Sequence, residues 1–148
     1  MKTRRINRAG GVCLAMFGAL PAAGIAGGCA SAPATSQELA PYPMHKPQRE
    51  TLDVQVFRDG PSITLTNTTA RNFESFVLWI NAGYSREVES FTIGETLHLK
   101  LSSFRDQFGN AFRGGGFFST EKPAKLVQAQ IEQDDHMIGL IVIGGEGE

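Results

Sequence analysis

Stretches of this chain alternate apolar and polar residues at a period of two, the spacing of a β-strand with one buried face. In "LDVQVF" at 52–57, Leu52, Val54 and Val56 alternate with Asp53 and Gln55. In "SITLTN" at 62–67, Ile63 and Leu65 oppose Thr64 and Thr66, and "RDGP" at 58–61 between the two runs is a turn signal, so a hairpin is expected. "GETLHLKLS" at 94–102 sets Leu97, Leu99 and Leu101 against Thr96, His98 and Lys100. "AKLVQAQIEQ" at 124–133 sets Leu126, Gln128 and Gln130 against Val127, Ala129 and Ile131, and "QDDH" at 133–136 reads as the turn into "MIGLIVIGG" at 137–145. That last run is continuously apolar, as a central strand is.

"FESFVLWIN" at 73–81 is apolar on both faces from Phe76 to Ile80, which predicts a strand covered on both sides. "AGYSREVESF" at 82–91 adds a turn and a short strand. Outside the first thirty residues no long segment has a 3.6-residue period, and no internal repeat is evident. About six to eight short strands with turn signals between them predict an all-β domain over 51–148, an antiparallel β-sandwich. Trp79 in a mid-chain strand is similar to the buried tryptophan of immunoglobulin-like sandwiches; the likeness is of fold alone, and the cysteine pair of those domains is missing.

The N-terminal region has a different character. Lys2, Arg4, Arg5 and Arg8 precede a weakly apolar run from Ala9 to Ala26, and no acid occurs before Glu38. A basic start, a short apolar stretch and small residues at its end are the marks of a secretory signal. The run is broken by Pro21 and falls short of the ~20 residues that a membrane span needs. Ala26-Gly27-Gly28-Cys29 resembles the lipobox of bacterial lipoproteins, with Ala26 where that family usually has a branched residue. The resemblance implies a signal peptide at 1–28 and lipid on Cys29, the first residue of the mature chain. Cys13 would leave with the signal, so the mature chain would hold no disulfide and no cysteine metal site. "ASA" at 30–32 competes as an ordinary cleavage site, and "TRRINR" resembles a twin-arginine signal, with Asn7 in a normally apolar position.

Residues 30–50 hold four of the seven prolines, Pro33, Pro41, Pro43 and Pro47. The segment 29–50 therefore reads as a lipidated cysteine and a disordered tether. The competing reading is an arm lying on the domain, docked through Tyr42, Met44 and His45. Without the signal the chain has ten Lys+Arg against fifteen Asp+Glu, a net charge of −5 with no basic stripe, so nucleic acid is not an expected partner.

One region is irregular. "SSFRDQFGNAFRGGGFF" at 102–118 carries Phe104, Phe108, Phe112, Phe117 and Phe118 out of ten phenylalanines in all. Ser103 and Asp106 fit a capping box and Gly109 a helix end, which predicts a helical turn over 104–108 with Phe104 and Phe108 on one face. Two readings compete. In one, the segment is a crossover pinned to the core by its phenylalanines. In the other it is a binding loop for a glycan or small ligand, with Phe104, Phe108 and Phe112 stacking and Arg105 and Arg113 holding an anion. Exposure of the phenylalanines separates them.

Signatures of catalysis are not found. His45, His98 and His136 are not at metal-ligand spacing, and Asp134-Asp135-His136 reads as a solvated turn. There is no G-x-S-x-G, no H-E-x-x-H and no phosphate-loop lysine after Gly114-Gly115-Gly116. Asn67-Thr68-Thr69 reads as a strand end and turn. The expectation is a non-enzymatic lipoprotein of the cell envelope, without cofactor or metal. It would be held by its lipid at a membrane, most simply an outer membrane facing periplasm or exterior, and would act as a structural or protein-interaction module.

Overall fold

The computed structural model describes residues 39–144. The expected signal peptide at 1–28, the acylation site Cys29, the twin-arginine pattern and the first part of the tether lie outside the described residues. Those that are described form an all-β unit of seven strands and one three-residue 3₁₀ turn. The strands are β1 (Gln48–Asp59), β2 (Ser62–Thr66), β3 (Phe73–Ile80), β4 (Tyr84–Phe91), β5 (Thr96–Lys100), β6 (Ala129–Glu132) and β7 (Met137–Ile143).

The alternating runs are strands, and both expected hairpins are present. Asp59 pairs with Ser62 across Gly60-Pro61, where Gly60 takes φ +51°, a left-handed conformation that glycine adopts at little cost. Glu132 pairs with Met137 across the 133–136 turn, where the Gln133 amide donates to the His136 carbonyl (2.9 Å). The apolar run at 137–143 is indeed central, fourth in a sheet ordered β4-β3-β6-β7-β1-β2-β5.

Two features differ from an antiparallel sandwich. All seven strands belong to one sheet, and β1 pairs with β7 in parallel, Val56 opposite Val142 and Phe57 opposite Ile143. Parallel neighbours require a long connection. Here all five other strands lie between β1 and β7 in the chain, and alternation along a strand carries no information on the direction of its neighbour.

The sheet curls until its edges β4 and β5 almost meet, giving a nearly closed barrel. Each end of the seam has its own tie. At one end the chain leaving β5 makes a bridge to β4: the Ser85 amide donates to the Arg105 carbonyl (2.8 Å) and the Arg105 amide to the Ser85 carbonyl (3.0 Å). At the other end Asn67 is buried, and its side-chain amide donates to the carbonyls of Phe91 (2.8 Å) and Arg71 (2.8 Å). Asn67 Oδ1 accepts from the Thr69 amide (3.0 Å) and hydroxyl (2.7 Å), and the Asn67 backbone amide donates to the Glu95 carbonyl (2.9 Å). A side-chain amide tolerates burial only when so satisfied. Strand end and turn is thus the correct reading of 67–69, with Asn67 as its polar core.

The inward residues of the strands form one cluster, among them Val54, Ile63, Leu78, Phe91, Leu99, Ile131 and Ile138. β3 is covered on both faces as expected, but the second cover is the N-terminal arm. Trp79 is 3% exposed and points outward, where the Tyr42 ring meets it edge-on at a centroid distance of 5.3 Å. Tyr42 Oη donates to Gln130 Oε1 (2.8 Å), and Gln130 Nε2 donates to Gln48 Oε1 (2.7 Å). Gly139 leaves the room for this: a Cβ there would stand 2.5 Å from Gln48 Nε2.

The boundary expected at residue 51 therefore moves. β1 begins at Gln48, and Tyr42 and Pro43 are already packed on the domain. Met44 and His45 are exposed and do not join Tyr42 in docking.

Candidate functional site

The region singled out by its aromatics is not helical. Leu101–Ser103 is the 3₁₀ turn, and 104–112 is a tight hairpin in which Arg105 bridges Ala111 and the Phe112 amide donates to the Phe104 carbonyl (3.0 Å). The expected helical turn fails because the Asp106 carboxylate bonds forward, not back to Ser103. Its Oδ1 accepts from the amides of Phe108 (2.9 Å) and Asn110 (2.8 Å), and its Oδ2 accepts from Asn110 Nδ2 (2.9 Å). Gly109 at φ +83° closes the turn. These bonds, that from the Asn110 side chain first, hold the Asp106 carboxyl below its ordinary pKa.

The five ligand-binding candidates therefore do not converge. Phe104 and Phe112 are buried core residues, and the Phe112 ring meets Tyr84 edge-on at 5.1 Å. Burial removes both from any stacking role. Arg105 lines a cleft of about 450 Å³ on the outer face of β3 and β4, with Trp79, Arg86, Glu87 and Glu132. Phe108, at 72% exposed, stands at a separate cleft of about 410 Å³ with Tyr42, Met44 and Tyr84. Arg113 is exposed in a third place, beyond the hairpin, where its Nη1 lies 3.4 Å from Glu121 Oε2.

What is built in this region is the loop from Arg113 to Ala124. Its two feet are joined, the Ala124 amide donating to the Arg113 carbonyl (2.8 Å). The Arg58 guanidinium clamps both: Nη1 donates to the Ala124 carbonyl (2.6 Å) and Nη2 to the Gly114 carbonyl (3.0 Å). Its Nε donates to the Gly60 carbonyl (3.1 Å), tying the loop to the β1–β2 turn. Glycine is needed at the base for space, since a Cβ at Gly114 would stand 2.8 Å from Leu101 Cβ and one at Gly115 would stand 2.6 Å from Pro123.

From this fixed base the loop carries Phe117 and Phe118 outward, 95% and 92% exposed. Their rings pack edge-on against each other at 5.0 Å. Sequence reasoning names this pair among the phenylalanines of the region but does not place it in a site. The adjacent Gly114-Gly115-Gly116 is the available signal. The Arg58 clamp has none, because its carbonyl partners on the loop are remote in sequence.

Elsewhere the titratable groups are dispersed. His98 Nδ1 lies 3.1 Å from Thr64 Oγ1, and His136 Nδ1 lies 2.9 Å from Asp135 Oδ1. Asp135 also accepts from Arg49 (2.6 Å), and the His136 contact first, then Arg49, holds its carboxyl below the ordinary range. Among the described residues no three His, Cys, Asp or Glu side chains are placed to hold a metal ion. The sequence matches no protein-family model, and no curated protein or solved structure gives a significant match.

Proposed function

We propose that this protein is a lipid-anchored component of the bacterial cell envelope whose small β-domain acts by contact rather than by catalysis. The observation that carries the contact role is the Arg113–Ala124 loop. Its feet are clamped by Arg58, yet its two phenyl rings are left outside the core. Exposed aromatic pairs on a firm support mark interaction surfaces. Anchoring rests on Ala26-Gly27-Gly28-Cys29 after a basic and then an apolar stretch.

We also propose that the curled sheet works as two layers. The two halves of the curled sheet, β4-β3-β6 and β1-β2-β5, share one core as the layers of a sandwich do, with β7 between them. A second function, binding of a small apolar ligand or glycan, is favoured by the Tyr42, Tyr84 and Phe108 cleft.

Changing Cys29 to Ser tests the anchor. The variant is expected to lose labelling by a fatty-acid analogue and to move from the membrane to the soluble fraction. A variant that is still acylated and membrane-bound would show that Cys29 is not the anchor.

A further inference from the structure

We infer that the cleft between Tyr42, Tyr84 and Phe108 is a docking groove for a proline-rich, extended segment of a partner protein. The inference rests on the reading of this cleft as a binding site and narrows its ligand. Three separate parts of the chain meet there: the N-terminal arm, the β3–β4 turn and the 104–112 hairpin. Each brings a ring that something else holds in place. Tyr42 meets Trp79 edge-on, and its hydroxyl donates to Gln130. Tyr84 packs edge-on against buried Phe112. Phe108 stands on the turn that the Asp106 carboxylate closes by accepting the Phe108 amide. Rings fixed before a ligand arrives leave little ordering entropy to be lost on binding. The rim is set under strain as well: Ala82 lines the cleft and takes φ +50° in a turn that favours glycine. Strain of this kind gathers at ligand-binding sites.

The polar groups of the lining decide among ligands. Asp106 is its one charged side chain, and both carboxylate oxygens already accept hydrogen bonds from within the hairpin. The Tyr42 hydroxyl is engaged by Gln130. Among the described residues, the Tyr84 hydroxyl and the Gln107 carboxamide are the side-chain polar groups of the cleft left without a partner. A saccharide, with hydroxyls around its ring, asks for more polar partners than these. A proline-rich segment asks for fewer. Proline has no amide hydrogen, the carbonyls of a polyproline helix are unbonded, and such segments dock in aromatic-lined grooves. Tyr84 and Gln107 can each donate to a carbonyl, while Tyr42, Phe108 and exposed Met44 supply apolar walls. The domain already holds a segment of this kind beside the cleft. Pro41-Tyr42-Pro43 has no regular structure, with Pro43 buried and Tyr42 on Trp79. Pro41 and Tyr42 also line the cleft, so a docked segment would continue the interface of the arm itself.

Titration of the isotope-labelled full-length protein with N-acetyl decaproline amide, followed by backbone amide NMR, tests this. A glycine–serine peptide of equal length and an N-acetylglucosamine oligomer serve as comparison ligands. The expected result is saturable binding of decaproline, with shifts at Ala82, Tyr84, Gln107 and Phe108, and no binding of the glycine–serine peptide. Phe108→Ala should weaken binding by about tenfold or more, as loss of an aromatic anchor does. Its thermal midpoint should not change, because the ring is exposed. Tyr84→Phe keeps the ring on Phe112 and should weaken binding about fivefold, the worth of one hydrogen bond. Equal binding by the parent and Phe108→Ala would overturn the inference, and so would shifts that fall outside the cleft. If the glucosamine oligomer binds in the cleft and decaproline does not, the cleft is a binding site but the inference fails. If neither binds there, the reading of the cleft as a binding site fails with it.

Discussion

Truncation of Phe104 to alanine is expected to lower the unfolding free energy by about 3–5 kcal/mol, the usual cost of deleting a buried aromatic. The residue is fully buried within the main cluster. It also precedes Arg105, whose backbone exchanges two hydrogen bonds with Ser85 and ties the segment after β5 to β4, the opposite edge of the sheet. Losing the ring leaves a cavity at the seam, where it loosens that bridge as well. Urea denaturation of the variant measures this. Phe117→Ala, in the same segment, is expected to stay within about 0.5 kcal/mol of the parent, as exposed positions do. A loss under about 1 kcal/mol at Phe104 would place it on the surface and restore it as a stacking residue.

Trp79→Ala is expected to cost about 3–5 kcal/mol for a different reason. The indole lies outside the main cluster, between the sheet and the N-terminal arm, and its Nε1 donates to Glu132 Oε2 (2.6 Å). Glu132 Oε1 in turn accepts from Lys46 Nζ (2.7 Å), a largely covered ion pair. Removing the indole takes one donor from a partly buried carboxylate and removes the ring that Tyr42 packs on. The arm should then detach. Amide exchange in residues 42–47 should accelerate together with the loss of stability. Normal protection of the arm in the variant would show that Tyr42 and Lys46 hold it unaided.

The strands were legible in the sequence because their one-sided burial writes itself as alternation; β2 and β5 follow it residue by residue. Their arrangement was not. The parallel β1–β7 pair and the single curled sheet depend on which edges meet after a long crossover, and no local pattern encodes that. The apolar outer face of β3 reads as covered and is covered at Trp79, but the cover, Tyr42 of the arm, sits in a proline-rich stretch that reads as tether.

In the aromatic segment, spacing pointed to the wrong local structure. A serine and an acid three residues apart fit a helix cap, but Asp106 also fits a turn, and Phe104 gains more from the core than a single helical turn could return. The split between buried Phe104 and Phe112 and exposed Phe108, Phe117 and Phe118 has no marker in residue type. Hydrophobic rings look alike until the fold assigns each a side.

The mass of the protein recovered from the membrane fraction of its own cells tests lipid anchoring most directly. The expected species begins at Cys29 and is heavier than its residues by a diacylglyceryl group and, where a third chain is added, by one more acyl group. A mass equal to the bare residues of a chain starting just after "ASA" at 30–32, or one that retains residues 1–28 with a free Cys29, would contradict it.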